Sequence, residues 1–384
     1  MKILILGIDG YLGWSLANYF ANEDCQIFGI DSFFRRKWVK DMGSISAIPI
    51  ASMNSRIKAY EATYKKEMLF YKGDITNYEF LGSKIKEIQP DVIVHFAQCP
   101  SAPYSMISQS KSVWVQKNNL IGTLNLIYAA KEYAPDAHII KLGTMGEYGT
   151  PNVDIPEGFF EIEYKGRKDT LPFPRQANSW YHLSKVHDSN NLQFACRNFG
   201  LRCTDIMQGV VFGFHGGPNY PAHRKLGTRL DFDQAFGTVI NRFCCESIIN
   251  HAITVYGDGT QIRSFLPLKD CMQCIKLVIQ NPPEPRQYKV INQFANIHAI
   301  NELASKVAGV CKLLSMEVKI VKMKNPRKEV EKHYYNPDNQ NLKNLGYTPS
   351  SNFDSEIMEL IESIKPYKKR IFEYSSVLNP TINW

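Results

Sequence analysis

The order of elements in residues 2–31 constrains this chain more than any other feature. KILILG (2–7) is a short apolar run ending in glycine, YLGWSLANYFANE (11–23) reads as a helix, and QIFGID (26–31) is a second apolar run. The first run is the pattern of a buried strand, and GIDGYLG joins it to the helix through Gly7, Gly10 and Gly13. Glycines at that junction allow a tight turn and close approach of backbone N–H groups to a pyrophosphate. The positive end of the following helix points at the same place. A glycine triplet alone is a weak signal; strand, turn and helix in order make it a dinucleotide site.

The same rhythm continues through MLFYKGD (68–74), DVIVHFA (91–97) and HIIKLGT (138–144), with the amphipathic NNLIGTLNLIYAAKEYAP (118–135) between the last two. Strands alternating with helices predict an α/β fold with a Rossmann-type, doubly wound parallel sheet. Residues 36–68 interrupt the rhythm and are expected to form an inserted, partly helical arm. Past residue 205 the pattern loosens: 213–227, rich in Gly, Pro and His, should be a loop, 236–252 a helix, and 253–259 a strand with a turn. The expected division is therefore 1–205 for the NAD-binding domain, with a returning segment around 265–295, and 206–384 for a smaller α/β substrate domain.

Asp31 ends the second strand, where a carboxylate binds the adenosine ribose hydroxyls; a turn-forming aspartate is the alternative. Arg35 and Arg36 would suit the 2′-phosphate of NADP, but the Asp31 carboxylate occupies that place, which favours NAD. Asp74 and Ile75 follow the third strand and are placed to meet the adenine. Asn119 either borders the nicotinamide side or is structural.

NSWYHLSKVHD (178–188) sets Tyr181 and Lys185 four residues apart, on one face of a helix. A free phenol, with a pKa near 10, is a poor base at neutral pH. An ammonium about 4–5 Å away favours the phenolate by roughly 3–4 kcal/mol. The pair can then take a hydroxyl proton while hydride passes from the same carbon to the cofactor. Thr144, at the end of a strand, is placed to hydrogen-bond that oxygen.

Composition excludes several other classes. A net charge of +8, scattered along 384 residues, forces no nucleic-acid surface. The nine cysteines form no disulfide scaffold: Cys244–Cys245 and Cys271/Cys274 read as buried thiols in helices, and no metal site is expected. No run reaches the roughly 18–20 apolar residues of a membrane span, and the start resembles no signal peptide, so a cytoplasmic protein is expected.

The constellation resembles the extended short-chain dehydrogenase/reductase family, whose members act on nucleotide-diphosphate sugars. VHF, SAPYSM, NNLIGTLN, KLGTMGEYGTPN, YHLSKVHDS, QGVVFG, RLDFD, NRFC, TVYGDG, INQF and NELAS, in that order, narrow the resemblance to its UDP-sulfoquinovose synthase branch. It runs from the first strand to about residue 345. The resemblance implies NAD as cofactor, UDP-glucose and sulfite as substrates (the sulfite free or handed over by a donor protein), and a homodimer through a helix bundle. It also implies a reaction order: oxidation at sugar C4, loss of water across C5 and C6, sulfite addition at C6, and reduction at C4. A 4-epimerase or 4,6-dehydratase is the alternative on the same scaffold.

Related 4,6-dehydratases place Asp-Glu directly after the threonine, where this chain has Met145 and Gly146. Glu147 and His182 are then the nearest groups for elimination, each with a structural role as its alternative. His182 lies about 100° around the helix from Tyr181. The resemblance further implies Arg263 and Arg229 for the diphosphate. Gln208, Thr228 and Asn241 become polar partners, and Tyr104 and Ser105 sugar contacts. Gln98, Cys99 and Pro100 replace the family's Glu-Gln-Arg, and Met207 its asparagine. Either the substrate is held differently here, or the sugar or the sulfur donor differs.

Overall fold

The computed structural model describes residues 1–215, 224–328 and 332–384. Seven strands form the central parallel sheet: Lys2–Leu6 (β1), Gln26–Asp31 (β2), Met68–Lys72 (β3), Val92–His95 (β4), His138–Leu142 (β5), Arg202–Gln208 (β6) and Tyr288–Gln293 (β7). Their order is β7-β6-β5-β4-β1-β2-β3. The order reverses between β1 and β4, and a ligand crevice opens at their carboxyl ends. The five apolar runs expected as strands before residue 145 are β1 to β5, whereas β6 and β7 were not read from the sequence. The inner strands are almost wholly buried because helices cover both faces, while in the edge strand β3 only Met68 is fully buried.

On one face, helices Tyr11–Tyr19 and Leu268–Gln280 pack with Ile3, Ile5 and Val94. On the other, Tyr78–Ile88, Gln109–Tyr133 and Trp180–Phe199 pack over Leu4, Leu6 and Ile139. Leu268–Gln280 packs on the sheet and β7 joins its edge, so residues from beyond 265 belong to this layer. Cys271 and Cys274 lie inside that helix, Cys244 and Cys245 inside Val239–Ile248; all are buried thiols.

A second core gathers Phe212, Phe243, Phe265, Val307 and Leu360. Around it lie the parallel pair Ile253–Tyr256 and Ile320–Met323 and the three-stranded sheet of Asn296–Ala299, Ile262–Pro267 and Val210–Phe212. The arm after β2 contains helices Phe34–Asp41 and Met53–Tyr64. Of the glycine- and proline-rich stretch 213–227, residues 216–223 lie outside the described residues. Sequence reading missed the hairpin of Phe159–Tyr164 and Arg167–Pro172. Its second strand is exposed along its whole length, so no buried alternation marks it.

Helix starts place the reactive side chains. Trp180–Phe199 begins at Ser179, whose hydroxyl accepts the N–H of His182, and ends at Gly200 with φ 81°. Serine satisfies one of the free N–H groups of the first turn, and glycine adopts the left-handed closing conformation without penalty.

Candidate active site

A cleft of about 470 Å³ opens at the carboxyl ends of the strands, and residues from beyond position 205 form its far wall. Gly7, Gly10, Gly13, Asp31, Arg35, Asp74 and Ile75 line one end. Thr144, Tyr181, His182 and Lys185 line it with Gln208 and Arg263.

At the glycine-rich end the chain turns sharply. Gly7 has φ +86°, and a Cβ on Gly13 would stand 2.3 Å from the Gly7 carbonyl oxygen, so the chain folds back tightly before the helix. Asp31 accepts the N–H groups of Asp9 (2.8 Å) and Phe33 (2.6 Å). Burial and the neighbouring Asp9 raise its pKa to about 6. A glycine cradle with a carboxylate at the end of β2 fits an adenosine dinucleotide.

Arg36 is turned away from the cleft. Asp9 receives Arg36 at 2.6 Å and the fully buried Arg56 at 2.7 Å, while Arg35 pairs with Asp231 at 2.7 Å and lies over the Phe236 ring. Both arginines expected near the cofactor are thus committed to carboxylates. Asn119 is buried behind the lining; it accepts the Cys99 N–H and donates to Ser184 Oγ, and Asn118 takes the place on the wall. Its structural alternative is the one the geometry displays.

At the reacting end, Thr144 Oγ1 accepts the N–H of Gly146 at 3.1 Å and caps the short turn Met145–Glu147. Lys185 Nζ donates to the Leu142 carbonyl at 2.5 Å and to Gln98 Oε1, and it lies 5.9 Å from the centre of the Tyr181 ring. Burial, and next the Lys141 charge, lower Lys185 to about 8. The phenol behaves differently from the sequence argument. Burial, with Glu147 and Cys99 adding to it, pushes Tyr181 up rather than down. The lysine is directed at Gln98 and the Leu142 carbonyl rather than at the phenol oxygen.

His182 lies at the cleft wall, with Nδ1 2.9 Å from Asn178 Oδ1 and 3.0 Å from Ser179 Oγ. Burial, then the charges of Arg327, Arg263 and Lys185, lower its pKa to about 3, so the imidazole is neutral. Gly146 explains how it fits. A Cβ on Gly146 would stand 2.4 Å from His182 Nε2. The imidazole therefore uses space that any side chain at position 146 would take, and Gly146 and His182 form one structural unit.

Glu147 is the clearest correction. It is fully buried away from the cleft, paired with Lys141 at 3.0 Å and with Arg175, and it accepts from Ser189 Oγ and the Thr144 N–H. Against the burial that would raise it, Lys141 and Arg175 hold it below the ordinary carboxylate range. It holds the Thr144 turn in place and cannot touch a sugar. Five more residues leave the lining. Tyr104 sits in an aromatic cluster, its hydroxyl accepting from Lys111 at 2.6 Å. Ser105 accepts the Tyr181 N–H at 3.1 Å and so fixes the start of that helix. Thr228 donates to the Tyr11 carbonyl and so ties the glycine-rich turn to the segment after β6, and Asn241 accepts the Gly213 N–H within the part of the chain beyond residue 205. Arg229 pairs with Asp231 and faces another cavity. In their place Arg242, Arg327, Tyr256 and Gln261 line the cleft. Arg242 stands one residue from Asn241 in NRFC, where only the helix's rotation decides which side chain reaches the wall.

A model of the NAD dependent epimerase/dehydratase family matches residues 3–292. The chain belongs to that family. It is an enzyme, and NAD is its cofactor. Among curated relatives, the chloroplastic UDP-sulfoquinovose synthase of Spinacia oleracea is 41% identical, covering all of this chain and 79% of its own. The UDP-sulfoquinovose synthase of Sulfolobus acidocaldarius is 42% identical, covering all of this chain and 98% of its own. Among solved structures, UDP-glucose 4-epimerase of Thermotoga maritima, determined with UDP-glucose, superposes with a TM-score of 0.70 at 17% identity, over 95% of this chain and 99% of that one. That likeness is one of fold.

Proposed function

We propose that the protein makes UDP-sulfoquinovose and water from UDP-glucose, sulfite and a proton. The observation that carries this reading is the meeting of Thr144, Tyr181 and Lys185 with a neutral His182 in one cleft, at the place where Gly146 leaves room for the imidazole. The two synthases of similar sequence support it.

NAD, when bound, supplies reversible hydride acceptance at sugar C4. Gly7, Gly10 and Gly13 would hold its pyrophosphate and Asp31 its ribose. Tyr181 takes the C4 hydroxyl proton and later returns it, while Thr144 Oγ donates a hydrogen bond to the same oxygen. Lys185, fixed by Gln98 and the Leu142 carbonyl, keeps positive charge near the phenol. The C4 ketone acidifies the C5 proton. His182, neutral and with Nδ1 anchored, has Nε2 available as the base that removes that proton. Water leaves from C6, sulfite adds there through sulfur, and a proton returns to C5. Arg263 and Arg327 face the same space and suit the diphosphate. Pro100 lines the cleft where the family's arginine is expected, so sulfite is held by groups other than a residue at 100.

Assembly follows from the surface. Val113, Ile121 and Tyr128 on helix Gln109–Tyr133 and Trp180 and Phe194 on Trp180–Phe199 are exposed, and the two helices pack side by side. A second copy would cover them in a four-helix bundle, making a homodimer. Among the described residues no helix is long and apolar enough to cross a membrane. With all nine cysteines present as thiols, the cytosol is the compartment this reading assigns.

The test is mass spectrometry of the NAD-loaded enzyme with UDP-glucose, with and without isotopically labelled sulfite. A labelled sulfonated UDP-hexose formed only with sulfite is the expected product. An epimerised or dehydrated sugar in its place would give the chain to the 4-epimerases or 4,6-dehydratases.

A further inference from the structure

Arg229 faces a second cavity, of about 420 Å³, on the far side of Asp231 from the cleft. The cavity forms where the arm after β2 meets the C-terminal helix Lys368–Glu373. Arg36, Lys40, Ser44, Arg229, Arg370 and Tyr374 are among its lining residues, and none of the lining residues is a carboxylate. Two of the cations are partly compensated from behind, Arg36 by Asp9 and Arg229 by Asp231. No ion pair among the described residues involves Lys40 or Arg370. Arg370 Nε donates to the Ser46 carbonyl at 3.0 Å, which leaves its two terminal nitrogens for a ligand.

Arg229 places a fixed positive charge in the wall of the cavity. The residue is 1% exposed, and its Nε and Nη2 donate to the two oxygens of Asp231 at 2.9 and 3.0 Å. Its Nη1 is buried with no partner. A forked guanidinium beside further cations, with hydroxyls at hand and no competing carboxylate, is the chemistry that selects an oxyanion.

We propose that this cavity is a second anion site, which binds one small oxyanion of the phosphate, sulfate and sulfite class. The ligand's oxygens pair with the two terminal nitrogens of Arg370, Lys40 adds charge at the rim, and the buried Arg229 guanidinium adds charge from the wall. The site is joined to the cofactor cleft by one carboxylate. Asp231 binds Arg229 on this side and Arg35, a cleft-lining residue, on the other.

The experiment uses the full NAD-loaded chain with UDP in saturating excess, so that the nucleotide cleft is filled. Inorganic phosphate is titrated by isothermal calorimetry and followed by phosphorus NMR line broadening. The expected result is one saturable phosphate per chain. Arg370→Gln and Lys40→Gln should each weaken it about tenfold while leaving UDP affinity and thermal stability as they were. Sulfate and sulfite are then added as competitors. Equal displacement by both assigns a general oxyanion site, and displacement by sulfite at far lower concentration than sulfate assigns it to the sulfur substrate. No saturable phosphate binding with UDP present, or binding that both substitutions leave unchanged, would overturn the proposal. Neither result touches the UDP-sulfoquinovose assignment, which the labelled-sulfite experiment decides separately.

Discussion

At the scale of single residues, Gly146 carries the most specific expectation. Gly146→Ala places a methyl group in the volume of His182 Nε2 and must displace the imidazole. Tyr181, Lys185 and the dinucleotide turn are left in place. NAD binding and the appearance of reduced nicotinamide with UDP-glucose should persist, while sulfonation falls about a hundredfold, the loss typical of a missing acid–base group. Sulfonation at the original rate would remove His182 from the mechanism. Lys185 sets a pH limit. Its folded pKa is lowered to about 8, so the ammonium is present below that value and lost above it. The pH profile of kcat/KM should therefore fall on the alkaline side of about pH 8, and a profile flat to pH 10 would contradict that role. His182, lowered to about 3, should add no limb between pH 5 and 8. The sequence placed Tyr181 and Lys185 together because helical spacing alone brings i and i+4 to one face. It left Glu147 open, because the cations that claim it, Lys141 and Arg175, come from other elements.

At the scale of elements, β1 to β5 and their order of appearance were legible because each is a short apolar run closed by a polar or glycine residue. β5 shows what such reading cannot reach. HIIKL reads as a strand interrupted by a lysine, yet Lys141 is fully buried, with Glu147 at 3.0 Å and Asp205 at 3.1 Å. Ser189 Oγ and the Lys185 carbonyl also accept from it. Those bonds join β5, β6 and the tyrosine helix beneath Thr144. Lys141→Met would leave two carboxylates and a serine without their cation, and should destabilise the fold by about 3–5 kcal/mol. Chemical denaturation measures it; a loss under about 1 kcal/mol would mean the carboxylates find other partners. The hairpin of Phe159–Tyr164 and Arg167–Pro172 stayed hidden for the opposite reason: its pairing is local and its second strand buries nothing.

At the scale of the whole molecule, the exposed apolar side chains of the two long helices predict self-association. Val113 is 52% and Phe194 50% exposed, on helices that are otherwise packed onto the sheet. Light scattering should give twice the chain mass for the protein and a single chain mass for Val113→Glu/Phe194→Glu. A single chain mass for the unaltered protein at high concentration would end the dimer reading. The glycine turn, the carboxylate ending β2, the tyrosine–lysine pair and the α/β rhythm were determined by sequence alone, because each depends on neighbours within a few residues. The wall of the second domain was not. Whether Asn241 or Arg242 reaches the cleft, whether Arg229 faces the nucleotide or another cavity, and whether Gly146 serves the backbone or a histidine 36 positions away depend on how distant segments pack. Side-chain direction there follows from helix rotation and from charges supplied by residues remote in the chain, so only the tertiary structure decided it.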